Sequence, residues 1–318
     1  MCTQVCELLG IEQPIVQAPM GSAADARLAA AVSNAGALGT IALTWVPDVA
    51  GVVRDTAGLT DRAFGGNFVL EWDMHRRLDQ ALEGGLRIVS LTWGDPAPYV
   101  ERVHDADALL MHTVGGAEEA RRAAGAGVDV IVAQGWESGG HVLGTVATLP
   151  LVPAVVDAVA PVPVIAAGGI ADARGVAAVL ALGAQAAWVG TRFLLAEEAP
   201  VHPQYRRRLI AAVETDAEWY ANLYDVGWPD APHRALRNST AQGWEIAGRP
   251  ARGARPGEGE AVAHLASGEP LVRYSSEMAL EGATGDVDAL SLWAGQSVAL
   301  VKRIQPAAEI VAELTSRL

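Results

Sequence analysis

Residues 161–191 read PVPVIAAGGIADARGVAAVLALGAQAAWVGT, and this stretch decides the fold. Val162–Ala166 is a short run that is apolar on both faces, and Gly168-Gly169 follow it. Ala173–Leu182 then repeats apolar residues at spacings of three and four. Ala186–Val189 is a second apolar run, ending in Gly190-Thr191. Runs apolar on both faces suit strands of a parallel sheet covered by helices, and the three-and-four spacing marks a helix face. The stretch is therefore one strand–helix unit with the next strand attached.

The same unit recurs upstream. Strands are expected at Pro14–Ala18, Leu38–Ala42, Phe64–Leu70, Arg87–Leu91, Ala108–His112 and Asp129–Ala133. Most begin roughly 20 to 26 residues after the one before, the length of one strand–helix unit. Helices are expected at Ala23–Ala35, Asp73–Glu83, Ala117–Ala126 and Leu149–Val159. Eight such repeats ending near residue 190 give an α/β chain folded as a (βα)8 TIM barrel. An open doubly wound sheet is the alternative. It wants Gly-x-Gly-x-x-Gly after the first strand, where this chain has Ala18-Pro19-Met20-Gly21-Ser22.

Beyond Arg192 the pattern changes. Residues 203–215 look helical and arginine-rich, and Asp216 to Arg249 is irregular and rich in aromatics. Residues 249–258 form a loop, and helical patterning is expected to return from Ala261, ending in Trp293–Ile304 and Pro306–Leu318. The expected organisation is a barrel over residues 1–200 and a smaller, mainly helical lid subdomain inserted after strand eight, residues 201–285. C-terminal helices, 286–318, would pack back on the barrel.

Composition narrows the function. The 318 residues carry 23 basic and 37 acidic side chains, a net charge of −14, with 51% apolar residues. That apolar content supports a large buried core and excludes disorder as the dominant state. The charge disfavours nucleic acid as a partner, since no basic stripe offsets it. Lys302 is the only lysine and falls in the expected C-terminal helical region rather than at a strand end, which argues against Schiff-base chemistry. Cys2 and Cys6 are too few for a disulfide framework and read as free thiols in a reducing cytoplasm. The N-terminus has no signal-peptide pattern. The uncharged run Ser138–Val156 contains Gly139, Gly140, Pro150 and Pro153, so it reads as protein interior rather than a membrane span.

In such barrels the site lies at the C-terminal ends of the strands. Ala18, Pro19 and Met20 follow strand one, Asn67 lies in strand three, and His112 and Thr113 end strand five. Gln134 and Gly135 open the loop to His141, Ala167, Gly168 and Gly169 follow strand seven, and Gly190 and Thr191 follow strand eight. Glycines after strands seven and eight let backbone N–H groups approach a phosphate. His141 is presented by Gly139-Gly140, and imidazole is the side chain best matched to proton transfer near neutral pH. Two histidines without carboxylate partners do not make a metal-hydrolase set. Trp45, Trp93 and Trp136 near strand ends suit an apolar substrate, or ordinary packing of the lid.

Gln17-Ala18-Pro19-Met20, Gly66-Asn67, Asp129 through Gln134-Gly135 to Glu137-Ser138-Gly139-Gly140-His141, Ala166-Ala167-Gly168-Gly169-Ile170 and Gly190-Thr191-Arg192-Phe193 together resemble the nitronate monooxygenases. The segment Tyr224 to Arg234 and Trp293-Ala294-Gly295-Gln296 extend the resemblance over nearly the whole chain. The resemblance implies a barrel binding FMN non-covalently. It implies oxidation of alkyl nitronates, with nitroalkanes open as further substrates, by dioxygen to a carbonyl compound and nitrite. Ala18, Pro19 and Met20 would meet the ring edge, and Asn67 and Gln134 would hydrogen-bond the ring or ribityl chain. Gly139, Gly140 and Ala167 would line the cofactor, and Gly168, Gly169, Gly190 and Thr191 would hold its phosphate. His141 would be the catalytic base or hydrogen-bond donor, and His112 a candidate neighbour of the reduced ring. Val142-Leu143 stand where members acting on propionate 3-nitronate carry a basic residue, which leaves the particular nitronate open.

Two other readings compete. One is an NAD(P)H-dependent flavin reductase on the same scaffold, a quinone reductase or an enoyl-acyl-carrier-protein reductase of the second type. The other is a phosphate-binding barrel without redox chemistry. All expect a small-molecule ligand, no nucleic-acid or membrane partner, and a homo-oligomer as an open possibility.

Overall fold

The computed structural model describes residues 3–318, so Cys2 lies outside the described residues. Eight parallel strands form the central sheet: Ile15–Gln17, Gly39–Ala42, Phe64–Val69, Ile88–Thr92, Leu109–Val114, Val130–Gln134, Val164–Ala167 and Ala186–Val189. Each pairs with its sequence neighbour from the second to the eighth, and the first pairs with the eighth through Ile15–Ala187, Val16–Trp188 and Gln17–Val189. A single bridge, Val16 to Leu38, joins the first strand to the second and closes the circle. The expected barrel is present.

The pleat sorts the side chains. Val16, Leu38, Ile88, Met111, Val130, Val132, Ile165 and Trp188 share one buried cluster inside the barrel. Val5, Cys6 and Leu9 join it from a short helix, Gln4–Leu9, which plugs the end of the barrel where the strands begin. Sequence periodicity missed this helix, because six residues are too few to display a helical period. The alternate strand residues face the helices, as Val89, Leu91, Leu110 and Ile131 do with Val53, Leu78 and Val103. Each such side chain, fully buried, stabilises the fold by about 1.5–3 kcal/mol.

Helices Ala26–Asn34, Val49–Ala57, His75–Glu83, Ala97–His104, Ala117–Ala126, Thr148–Val159 and Ala173–Ala181 ring the barrel. No long helix follows the eighth strand directly. Ala307–Thr315, near the end of the chain, packs against both Ala26–Asn34 and Ala173–Ala181 and fills the gap in the ring.

Between them the chain departs from helical expectation. Pro203–Ala211 and Ser239–Ile246 are helices. Ala217–Tyr220 and His233–Leu236 pair antiparallel, and His233-Arg234 also pair with Gly140–His141 from the loop after the sixth strand. The helical patterning expected from Ala261 does not form. Ala261–His264 is the middle strand of a small sheet flanked by Pro270–Val272 and Thr284–Gly285. Gly268 reverses the chain there at φ +88°, a left-handed turn that glycine adopts freely. The helix expected over Trp293–Ile304 shrinks to one tight turn, Gln296–Leu300. Its start is extended instead, because the Leu236 N–H donates to the Leu292 carbonyl and Ala235 bridges Trp293.

Candidate active site

A polar layer tops the barrel. Thr40, Asn67, Ser90, Thr92, Thr113 and Gln134 fall on the inward side of their strands, two residues on from Leu38, Gly65, Ile88, Ser90, Met111 and Val132. The Asn67 amide donates to the Ser90 carbonyl at 3.2 Å, the Ser90 hydroxyl at 3.1 Å and the Thr92 hydroxyl at 3.0 Å. The Thr92 and Thr113 hydroxyls lie 3.4 Å apart. Asn67 is thereby locked, with its amide nitrogen spent inside the protein.

His112 does not reach this layer. Met111 and Thr113 point inward, so the pleat turns His112 toward the helices, buried beside the Leu91 carbonyl and Asp95. Desolvation lowers its pKa to about 4. The strand-end placement was legible from sequence; the one-residue phase that decides inward from outward was not.

His141 is built into a β-bridge. Gly140 enters it at φ +71° with open space where a side chain would stand. His141 then pairs with His233 across the bridge. Gln134 holds the loop: its amide N–H donates to the His141 carbonyl at 3.0 Å, and its carbonyl oxygen accepts the Leu143 N–H at 2.9 Å. Both halves of the Gln134 amide are thus engaged in positioning His141. The His141 Nδ1 lies 3.3 Å from the Ala231 carbonyl, which can only accept, so the contact is made by an Nδ1–H donor. In that tautomer the ring's lone pair is on Nε2. Desolvation, then the neighbouring His233, lower the His141 pKa to about 3.

His233 is fully buried and doubly satisfied. Its Nδ1 lies 2.9 Å from the same Ala231 carbonyl, and its Nε2 accepts the Tyr224 N–H at 3.0 Å. Desolvation lowers its pKa to about 4. Sequence reasoning overlooked this residue. Its only local signal was the run Ala231-Pro232-His233-Arg234 within an aromatic-rich segment.

Arg234 and Arg237 differ from one another. Arg237 pairs with Glu245 at 2.6 Å. Arg234 is buried and forms no ion pair among the described residues, though the Glu137 carboxylate acts on it at longer range: it donates to the Trp136 carbonyl at 2.8 Å and the Ala217 carbonyl at 3.0 Å, and stacks 5.4 Å over the Trp136 ring. Asn238 accepts the Tyr224 hydroxyl at 2.6 Å and caps the helix Ser239–Ile246.

Tryptophans cover His141. The Trp228 ring centre lies 3.9 Å from that of His141, and Trp293 and Trp93 follow at 5.4 and 6.0 Å. Trp93, after the fourth strand, and Trp72, after the third, pack on Trp228 at 5.1 and 5.5 Å. Trp45, after the second strand, reaches it at 6.0 Å while remaining 53% exposed. Three strand-end loops and the late segment converge here.

The glycines form a second cluster. Gly139 packs so closely on the chain that an added Cβ would lie 2.4 Å from the Gly295 nitrogen. That same Gly295 N–H donates to the Thr191 hydroxyl at 3.0 Å. Gly168, at φ +101°, has its carbonyl held by the Thr148 hydroxyl at 2.9 Å, and a Cβ there would meet Ser138 Oγ at 2.6 Å. Gly190 faces Ala18 and Met20, with 3.4 Å between its would-be Cβ and that of Ala18. Ala167 is buried and hydrogen-bonds Gly135 N–H through its carbonyl at 2.9 Å. Loops one, six, seven and eight therefore bring Ala18, Met20, Gly139, Gly168, Gly190 and Thr191 together, with Pro19 and Gly169 beside them in the chain. At Gly139 and Gly168 the missing side chain is what lets these loops pack so closely on one another. The helix after strand seven adds little, since Asp172 caps it by accepting the Arg174 and Gly175 N–H groups. Among the described residues no group of three His, Cys, Asp or Glu could hold a metal, and no helix is long and apolar enough to cross a membrane.

A family model described as "Nitronate monooxygenase" matches residues 3–76 and 67–317. A Mycobacterium tuberculosis (strain ATCC 25618 / H37Rv) protein named "(3aS,4S,5R,7aS)-5-hydroxy-7a-methyl-1-oxo-octahydro-1H-indene-4-carboxyl-CoA dehydrogenase" is 38% identical over 79% of this chain and 70% of its own length. A protein of Paraburkholderia phytofirmans (strain DSM 17436 / LMG 22146 / PsJN) named "Nitronate monooxygenase" is 33% identical over 98% of this chain and 93% of its own. The solved structure of FabK from Thermotoga maritima superposes with a TM-score of 0.85 and 33% identity, covering 99% of this chain and 96% of that one.

Proposed function

We propose a function from one premise: the chain belongs to the nitronate monooxygenase family, and is a flavin-dependent oxidoreductase on a TIM barrel. Within that family, the reading best supported is oxidation of alkyl nitronates, with FMN as the flavin and dioxygen as the final electron acceptor. The products would be a carbonyl compound and nitrite.

The observation that carries this reading is the presentation of His141. Its Nδ1–H contact to the Ala231 carbonyl leaves Nε2 as a neutral lone pair at the barrel mouth. The depressed pKa keeps the ring neutral across the physiological range. A neutral lone pair suits abstraction of the acidic proton beside a nitro group, which turns a nitroalkane into its nitronate. Bound FMN would supply the two-electron oxidation. Gly168, Gly169, Gly190 and Thr191 are assigned to its phosphate, and Ala18, Pro19 and Met20 to its ring edge. Asn67 and Gln134 act one step back, holding the hydroxyl layer and the His141 loop. Residues 201–285 are proposed as the lid that excludes water from the site.

A second reading, NAD(P)H-dependent reduction through the same flavin, is compatible with the likeness to FabK, and the relative named as a dehydrogenase shows that related chains bear other assignments. One experiment separates the two. The purified yellow protein is made anaerobic and mixed with ethylnitronate in one cuvette and NADH or NADPH in another. Bleaching by the nitronate is expected. Bleaching by the nicotinamide alone would replace the proposal with the reductase.

A further inference from the structure

The tryptophan cluster contains one feature that packing alone does not explain. Trp228 is 4% exposed, and its indole Nε1–H has no hydrogen-bond partner among the described residues. An indole nitrogen can only donate, and leaving a buried donor unsatisfied costs roughly 1–3 kcal/mol. Its ring lies against His141, the imidazole proposed above for proton transfer. Trp93, which also touches both rings, sits at φ +66°, in the left-handed region that a bulky residue rarely enters. Such backbone strain, of order 1–3 kcal/mol, collects at functional sites.

We propose that the Trp228 indole N–H is a substrate-binding group, which donates to one oxygen of a planar two-oxygen anion held beside His141. Trp45, Trp72 and Trp93 then take the apolar substituent of that anion. This deepens the nitronate reading and rests on it: a nitronate carries its negative charge on its two oxygens, and the same charge grows there when His141 removes a proton from a nitroalkane, so a donor is needed at those oxygens in either case. The rings touching Trp228 are tryptophan and neutral histidine, so a second charge on the substrate's tail finds no cation among them. The favoured class is a nitronate with a flat or extended hydrocarbon tail.

Benzoate, a stable planar anion with two equivalent oxygens, is the probe, with toluene as its neutral likeness. Binding of each to the flavin-loaded protein is followed by quenching of tryptophan fluorescence. Trp228→Phe keeps the ring and deletes the donor. It is expected to weaken benzoate about tenfold while leaving toluene within twofold, and to raise KM for ethylnitronate and phenylnitromethane anion alike. Equal weakening of benzoate and toluene, or no change in either, would overturn the proposal and leave Trp228 as wall. Where Trp228→Phe fails to fold, Trp228→His, which keeps a ring N–H, decides: an unchanged benzoate-to-toluene ratio supports the proposal, and a collapsed ratio removes it. Selective loss of benzoate binding in a protein that no nitronate bleaches would retain the anion site and remove the nitronate reading instead.

Discussion

His141 and His233 share one acceptor: the Ala231 carbonyl lies 3.3 Å from Nδ1 of the first and 2.9 Å from Nδ1 of the second. The second ring is fixed in turn by the Tyr224 N–H. A buried histidine that touches no substrate therefore orients the one proposed to do so. Replacing His141 by Asn should lower turnover of neutral nitroalkanes by about 10²–10⁴-fold, the usual worth of a general base, and preformed nitronates much less. His233→Phe should leave the Tyr224 N–H unpaired, lower stability by about 1–3 kcal/mol and lower nitroalkane turnover without affecting flavin content. Steady-state rates on paired nitroalkane and nitronate, with flavin absorbance as a control, check both. Equal loss on the two substrates would argue against a base.

Acid should unfold the protein earlier than its carboxylates alone require. Burial lowers the pKa of His112 and of His233 from 6.5 to about 4. As pH falls through 6.5 the unfolded chain takes up protons first. Stability from these neutral rings is therefore complete above pH 6.5 and is lost as pH falls toward 4, at about 1.4 kcal/mol per pH unit per imidazole. Urea midpoints between pH 7.5 and 4.5 would measure it. His112→Leu should flatten the slope by one proton; an unchanged slope would show that the ring is not held neutral.

Neighbouring glycines should respond differently to alanine. In Gly139 the added carbon would lie 2.4 Å from the Gly295 nitrogen, whose N–H is bound to Thr191. Gly139→Ala must push the Ala294-Gly295 segment aside, break its hydrogen bond to Thr191, and is expected to strip most of the flavin. Gly140→Ala meets open space and suffers only its φ of +71°, so about 1 kcal/mol of stability and little flavin should be lost. Flavin-to-protein ratios after gel filtration give the comparison, and equal ratios would refute the cradle.

The late segment is tied to its surroundings by a buried ion pair. Arg255 and Asp225 meet at 2.8 Å, both almost fully buried, and the same guanidinium bonds the Leu223 carbonyl at 3.0 Å. Asp225→Ala leaves the buried Arg255 guanidinium with Glu258, 2.6 Å away, as its one remaining carboxylate, and the lost charge-assisted hydrogen bond should cost about 1.5–3 kcal/mol. Urea denaturation would register it, and limited proteolysis should cut the 220–260 region first. A variant as stable as the parent would mean that Glu258 alone satisfies the guanidinium.

The barrel was legible because its signal is local and repeated. Each strand shows as a run apolar on both faces and each long helix as a three-and-four spacing, as in residues 161–191. The glycines were legible for the same reason, since a strand ending in Gly168-Gly169 or Gly190-Thr191 states its own turn. Ala261–His264 misled, because four residues satisfy a helical period and a strand period equally well, and only its partner strands decided between them.

What the sequence determined by itself was the eight-strand topology and the residue types at the strand ends where the site is proposed: histidine, small residues and tryptophan, with the single lysine in the C-terminal segment. The tertiary structure alone decided which of them act together. His141 meets His233 across a bridge between segments some 90 residues apart. Trp228 closes on Trp45, Trp72 and Trp93 from three other loops. His112 is turned away by a one-residue phase of the pleat. The physical reason is range: backbone preference and hydrophobic period are properties of neighbours along the chain. Shared acceptors, ring contacts and desolvation arise only between groups that folding brings together.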